Sequence, residues 1–176
     1  MKKVLFVIIL LIFLSFPCFA RIDVKFTPSK QCEKTIVEFI DSSQETIDAA
    51  VYSINNDKIV EALKKAHHRG VKLRILTDKL QASSKSSKVI DLYKGGVNIR
   101  VNSRHKIEHN KFAVYDQKIA STGSFNWTNP ASNKNSENCL FLEGNLNIIN
   151  KYIVRFEQLW KENTKTKSDK WFEKLK

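Results

Sequence analysis

Thr46-Ile47-Asp48-Ala49-Ala50-Val51-Tyr52-Ser53-Ile54, then Asn55-Asn56-Asp57, then Arg69-Gly70 followed by Val71-Lys72-Leu73-Arg74-Ile75-Leu76-Thr77, is the stretch that decides the fold. Its first segment is β-branched and apolar, which predicts a strand from Thr46 to Ile54. Asn55-Asn56-Asp57 can cap a helix, Ile59, Val60, Leu63 and Ala66 recur at helical spacing, and Gly70 stops it. Val71 to Thr77 alternates again as a strand. Strand, helix and strand in direct succession argue for an α/β fold with parallel or mixed pairing.

The pattern extends outward in both directions. Upstream, Ile22 to Thr27 alternates as a strand, and Pro28-Ser29 opens a helix carrying Cys32, Ile36, Val37, Phe39 and Ile40. Downstream, the Ser/Lys-rich Gln81 to Lys88 reads as a mobile loop before a helix with Val89, Ile90, Leu92 and Tyr93, ended by Gly95-Gly96. Val97 to Val101 gives a short strand. Lys111 to Tyr115 and Lys118 to Thr122 flank Asp116-Gln117 as a hairpin. Asn138 to Leu142 is a further strand, and Asn145 to Lys161 is a helix with Leu146, Ile149, Ile153, Phe156 and Trp160 on one face. Thr164 to Lys176 is polar and basic, a dangling helix or a disordered tail. The expected fold is a single α/β domain with a mixed central sheet and helices on both faces, spanning residues 21–162, with 163–176 as a basic tail.

Residues 1–20 stand apart. Lys2 and Lys3 precede an apolar run from Val4 to Phe16, and Ala20 is a small residue before Arg21. This reads as a secretory signal peptide or, uncleaved, as an N-terminal membrane anchor. Either implies export: periplasmic, secreted, or held on a bacterial inner membrane, with membrane association through this segment in the anchored case. The whole chain of 176 residues carries net charge +12. Removal of residues 1–20 leaves 28 basic against 18 acidic residues, net +10. Such an excess suits a polyanionic partner, nucleic acid or an anionic membrane, although a solvated lysine-rich surface would give the same figure. Cys32 and Cys139 are the cysteines beyond the leader. They are too few for a zinc site, and nothing in the sequence brings them together, so the balance falls on two free thiols rather than a disulfide.

The chemistry concentrates in His109-Asn110-Lys111, Asp116 and Gly123-Ser124-Phe125-Asn126. Alternation along an extended segment puts His109 and Lys111 on one side, and likewise Ser124 and Asn126 if Thr122 to Asn126 is extended. Histidine supplies a nucleophile or proton carrier near neutral pH; lysine, serine and asparagine donate hydrogen bonds to phosphate oxygens. The set needs no metal and no cofactor. Phe125 and Trp127 read as core residues flanking Asn126. His67 and His68, late in a helix, read as structural, and His105 as solvent-exposed. Arg100, Arg104 and Lys106 form a basic approach to His109 that would track a phosphate backbone; a solvated loop is the competing reading.

His109, Lys111, Asp116, Gly123, Ser124 and Asn126 together resemble the HKD signature of the phospholipase D superfamily. Ala50-Val51-Tyr52-Ser53-Ile54, Ala62-Leu63-Lys64-Lys65-Ala66 and Arg69-Gly70-Val71 resemble the first half of the small bacterial Nuc-type endonucleases, and Asn135-Ser136-Glu137-Asn138 their following acidic segment. Over roughly Phe26 to Trp160 the likeness is nearest to exported, membrane-associated NucT-like nucleases. The motif occurs once, so the resemblance implies a twofold homodimer with one active site shared across the interface. His109 of one copy would attack phosphorus, and His109 of the other would protonate the leaving oxygen. Lys111, Ser124 and Asn126 would hold the phosphate oxygens, with Arg104 and Lys106 as outer contacts. Glu137 would hydrogen-bond a histidine ring. Asp116 belongs to the motif but also reads as a turn-stabilising residue.

The resemblance implies a metal-independent nuclease with little sequence preference. Its expected substrate is DNA, single-stranded by preference because a narrow groove admits one strand more readily than a duplex, with RNA as an alternative. A lipid phosphodiesterase and a non-catalytic tethered DNA-binding protein are the other readings. The sequence does not separate nucleotide scavenging from DNA uptake.

Overall fold

In a computed structural model that describes residues 20–175, strand β2 (Thr46–Val51) runs through the interior between a parallel and an antiparallel neighbour. The first neighbour is β3 (Lys72–Thr77), reached through helix α2 (Asp57–His68) as the expected crossover. Asn56 caps α2, its side-chain oxygen accepting from Ile59 N at 3.0 Å, and Gly70 takes the positive φ of 91° that lets the chain leave the helix. β2 ends at Val51 rather than Ile54. Beyond Val51 the chain follows other partners, Tyr52 N donating to Asn110 O and Ile54 bridging to Trp127.

The remaining strands are β1 (Arg21–Phe26), β4 (Asn98–Val101), β5 (Lys111–Tyr115), β6 (Ile119–Gly123) and β7 (Asn138–Glu143). They complete a seven-stranded sheet in the order β1-β7-β6-β5-β2-β3-β4. β2, β3 and β4 are parallel; every other pairing is antiparallel. The sheet is therefore mixed, as expected. β5 and β6 join through Asp116 and Gln117, both at positive φ (46° and 56°), with Lys118 N donating to Tyr115 O. That is the primed turn whose twist matches a hairpin.

Helices cover both faces. On one, α1 (Gln31–Ser42), α2 and α4 (Val89–Lys94) bury Ile36, Ile40, Leu63 and Leu92 against Ile47, Ala49, Ile75 and Tyr115. A short helix α5 (Asn129–Asn133), capped by Thr128, follows β6. On the other face, α6 (Leu146–Glu162) buries Ile149, Phe156, Leu159 and Trp160 over Ala50, Leu76, Phe112 and Val114. Between these layers β2 has a buried side chain at each position from Ile47 to Val51, as a strand covered on both faces must.

Three expectations need correction. Cys32 and Cys139 form a disulfide, with Cα atoms 6.0 Å apart. The antiparallel register sets Lys25 opposite Cys139, and α1 folds back at once from β1, so the first turn of α1 lies beside β7. That proximity arises from tertiary pairing and leaves no trace in spacing. The segment expected as a mobile loop begins within a short helix α3 (Lys79–Ala82), capped by Asp78, and Ala82 is buried. Its later part is tied down where Lys88 N donates to Ile54 O. The tail is neither dangling nor disordered over its described length. Helix α7 (Lys165–Glu173) stacks Phe172 on Tyr93 at 3.8 Å between centroids, and Ser168 Oγ accepts from Val101 N at 3.1 Å. It thereby covers the otherwise open edge of β4, a usual way to blunt a sheet edge. The leader reading falls on residues 1–20, of which 1–19 lie outside the described residues; no described helix is long and apolar enough to cross a membrane.

Candidate active site

His109 stands where the chain enters β5, on an irregular segment tied from both sides. Glu108 is buried, and its Oε1 accepts from Asn110 N at 3.2 Å and Asn110 Nδ2 at 2.6 Å. Glu108 N donates to Asp78 Oδ2 at 3.2 Å, while the other oxygen of Asp78 caps α3. Asn110 O receives Tyr52 N at 2.9 Å, which continues the β2–β5 ladder one step beyond the strand. The backbone on either side of His109 is thus fixed, while its ring stays exposed.

Tyr52 is the platform for the pair. The His109 ring meets it edge-on at 4.6 Å between centroids, and Lys111 Nζ lies 5.0 Å over the same ring. Lys111 Nζ also donates to His109 O at 2.7 Å. The alternation argument for His109 and Lys111 therefore holds. Burial pulls the Lys111 ammonium below the usual lysine range, against the attraction of Glu137 and Glu108. A partly desolvated cation next to an accessible imidazole is poised to trade water for an anionic ligand.

Ser124 and Asn126 are not arranged as an extended pair. β6 ends at Gly123, whose φ of 142° turns the chain aside, and a Cβ there would meet Asn138 O at 2.3 Å. Ser124 Oγ donates to Glu137 Oε2 at 2.5 Å and accepts from Asn138 N at 3.1 Å. Glu137 Oε1 accepts from Asn135 Nδ2 at 3.0 Å, so both carboxylate oxygens are engaged. Among the described residues no hydrogen bond joins Glu137 to the His109 ring of the same chain. Asn126 has a buried Oδ1 that takes no hydrogen bond among the described residues, an orphan of the kind that marks functional sites. Phe125 and Trp127 are buried, as expected.

Asp116 belongs elsewhere. It sits at the far end of β5 from Lys111, and its carboxylate accepts from the backbone N–H groups of Gln44, Glu45 and Thr46 at 2.8 to 2.9 Å. The turn-stabilising reading is the one realised, with the α1–β2 connection as beneficiary. Arg100 is also structural: its guanidinium lies 4.0 Å over the Trp160 ring and donates to Trp160 O. Arg104 and Lys106 are exposed between β4 and Glu108, and His105 pairs with Glu162 at 3.2 Å.

A cleft of about 340 Å³ opens beside His109 and Lys111. One wall is β5–β6, through Phe112, Thr122 and Gly123; the other is α6, through Lys151, Tyr152 and Arg155. Sequence reading took only the apolar face of α6 and missed these three. The available signal was two cations at i and i+4 on the opposite face, Lys151 and Arg155. Among the described residues no three His, Cys, Asp or Glu side chains are grouped to hold one ion.

Known proteins share this sequence and shape. Residues 36–160 match the family described as cardiolipin synthase, PLD-like domain. Phospholipase D of Rickettsia prowazekii is 36% identical over 124 residues, covering 70% of this chain and 60% of that protein. Mitochondrial cardiolipin hydrolase of Chlamydomonas reinhardtii is 32% identical over 124 residues, covering 70% of this chain and 55% of that one. This chain thus spans about 60% of the length of the curated relatives it matches. Nuc from Salmonella typhimurium, a phospholipase D family member, superposes with a TM-score of 0.78 at 26% identity over 83% of this chain and 97% of that one. NucT from Helicobacter pylori matches in fold, with a TM-score of 0.76 at 23% identity over 83% and 99% of the two chains. With a family match over residues 36–160, the chain belongs to the phospholipase D superfamily.

Proposed function

We propose that the protein is a phosphodiesterase that cleaves nucleic acid, single-stranded DNA by preference, through a phosphohistidine and without a metal ion. The observation that carries this reading is the pairing of an exposed His109 ring with a partly desolvated Lys111 on one Tyr52 platform, facing a cleft with cations on its far wall. In the proposed reaction His109 attacks phosphorus, the bond to the leaving oxygen breaks, and that oxygen takes a proton from His109 of a second copy. The second imidazole then removes a proton from water, which attacks the phosphohistidine and releases the phosphate monoester. Lys111 neutralises charge on the equatorial oxygens, and the Asn126 carboxamide nitrogen donates hydrogen bonds to them.

The shared site requires a twofold homodimer, and one surface supports it. Val24, Leu140 and Thr122 fall in one row across β1, β7 and β6, and Thr122 lines the cleft. On that same sheet face Ile22, Val24 and Phe26 are exposed. An uncovered apolar strip two strands from the cleft fits a second copy that brings its own His109 to the site. We assign the protein to an exported location, in the periplasm or on the inner membrane, which the Cys32–Cys139 disulfide supports.

The test uses full-length protein in mild detergent, with end-labelled single-stranded DNA in excess EDTA, beside His109→Ala. Cleavage by the wild type alone supports the reading; equal cleavage by both removes His109 from the mechanism. The curated relatives named phospholipase D and cardiolipin hydrolase favour a second reading, a lipid phosphodiesterase. Release of phosphatidic acid from cardiolipin vesicles, with DNA left intact, would select it.

A further inference from the structure

We infer that Lys151 and Arg155 on α6 form a second phosphate subsite, which holds the phosphate next to the one at His109 and makes the protein a polyphosphodiester enzyme rather than one for isolated esters. The inference rests on the nucleic-acid reading above and deepens it. Lys151 and Arg155 line the same cleft as His109 and Lys111 but stand on its opposite wall. Four residues of helix separate them by about 6 Å along the axis, which puts them on one helix face where two long side chains can converge on a single phosphate. Both are exposed, and neither has an ion-pair partner among the described residues. What sets the pair apart is its place on the cleft wall; Arg74 and Arg100, on the same side of the sheet, are held by Asp48 and Glu157 and by Trp160.

The helix that carries the pair is firmly placed. Tyr152, between them in sequence, packs its ring on Phe112 at 5.2 Å, and Phe112 is the strand residue immediately after Lys111. A shift of α6 would therefore be felt at β5, so the distance between the two walls is set by core packing. The cleft wall is mixed: His109, Asn110, Lys111, Thr122, Lys151 and Arg155 supply polar groups, while the lining includes the rings of Phe112 and Tyr152 and no Leu, Ile, Val or Met side chain. Cations facing His109 and Lys111 across the cleft suit a backbone that presents a second phosphate next to the scissile one.

The test compares wild type with the double variant Lys151→Gln, Arg155→Gln, and with the charge-conserving pair Lys151→Arg, Arg155→Lys. Two substrates are used in EDTA: a single-stranded oligonucleotide, and bis(p-nitrophenyl) phosphate, which carries one phosphate. The kcat/KM of the glutamine variant should fall about tenfold further on the oligonucleotide than on the small ester, chiefly through KM, and the conservative pair should restore most of it. Oligonucleotide binding measured against salt should lose about 0.7 from its log–log slope, the share of one neutralised phosphate. Parallel loss on both substrates, or an unchanged salt slope, overturns the inference. The binding arm is read without turnover, so a wild type that binds but does not cut would instead overturn the nuclease reading. Weakened binding to cardiolipin vesicles together with an unchanged oligonucleotide slope would move the pair to a lipid headgroup and overturn the inference as stated.

Discussion

Ser124 Oγ donates to Glu137 Oε2 at 2.5 Å, and the same oxygen accepts from Asn138 N at 3.1 Å. The hydroxyl therefore ties the turn after β6 to the start of β7, and it holds a carboxylate whose charge is felt by Lys111. In this state Ser124 cannot give its proton to a phosphate. Ser124→Ala should lower stability by about 1 kcal/mol, the usual net worth of such a bond, and lower kcat/KM by loosening Glu137. Ser124→Thr, which keeps the hydroxyl, should retain more activity than alanine. Denaturant unfolding and steady-state kinetics on the three proteins check this; an alanine variant with wild-type kinetics would reduce Ser124 to a turn residue.

Lys111 offers a pH test. Burial, the largest influence, lowers its pKa, and the carboxylates of Glu137 and Glu108 only partly oppose that. In the window between the lowered folded value and the ordinary unfolded one, the unfolded chain binds more protons. Stability from this group therefore rises with pH there, while the charge needed for phosphate is lost. KM should rise on the alkaline side at a lower pH than an ordinary lysine would give. Lys111→Arg, whose guanidinium stays charged, should remove that alkaline limb even if it turns over more slowly. A limb that persists unchanged in the arginine variant would belong to another group.

Asp116 separates motif membership from role. Burial raises its pKa, but the N–H groups of Thr46, Gln44 and Glu45, together with Lys118, outweigh that and hold it below the usual carboxylate range. A depressed value means that the carboxylate stabilises the fold above its unfolded pKa and that this is lost as the pH falls through the folded one. Asp116→Ala should cost about 2 kcal/mol at neutral pH through its orphaned N–H groups and steepen acid unfolding less than wild type. Turnover per folded molecule should stay near wild type. A large fall in kcat with no change in melting temperature would return Asp116 to the reaction.

The strand–helix–strand core was legible because Thr46 to Thr77 encodes it locally: period-two strands, an Asn56 cap and a Gly70 stop. His109 and Lys111 were legible as a pair because two-residue spacing on an extended segment is a local property too. What stayed hidden depends on pairing over long separations. Cys32 meets Cys139 across 107 residues, and Asp116 reaches back about seventy residues to Gln44, Glu45 and Thr46. Lys151 and Arg155 were passed over because a helix read for its buried face says nothing of what its outer face overlooks. The tail was misread because α7 is polar overall, and its ties to Tyr93 and β4 through Phe172, Asp169 and Ser168 are tertiary.

Gly123 connects the cleft wall to the Ser124 turn. Its φ of 142° is outside the range that other residues adopt readily, and a Cβ would sit 2.3 Å from Asn138 O, a backbone atom that cannot swing away. Gly123→Ala should therefore separate β6 from β7 at its last rung. The expected loss is about 2 to 4 kcal/mol with activity largely abolished, since Ser124 and the cleft wall move together. Urea unfolding and turnover both read the effect; a variant of wild-type stability would mean that the turn relaxes without cost.

The disulfide gives the last prediction, in two parts. The full chain has three cysteines, and Cys18 lies in the leader. Under denaturing conditions without reductant, thiol titration should find one free thiol if the leader is retained and none if it is removed, rising by two after reduction. Closing a loop of 107 residues restricts the unfolded chain, so the double variant Cys32→Ala, Cys139→Ala should lose about 2 to 4 kcal/mol against guanidinium. The bond joins α1 to β7, which continues from the Glu137 turn, so mild reduction should weaken activity before the whole domain unfolds. Free thiols at both positions in protein isolated from the cell envelope would remove the disulfide, and with it the support it lends to an exported location.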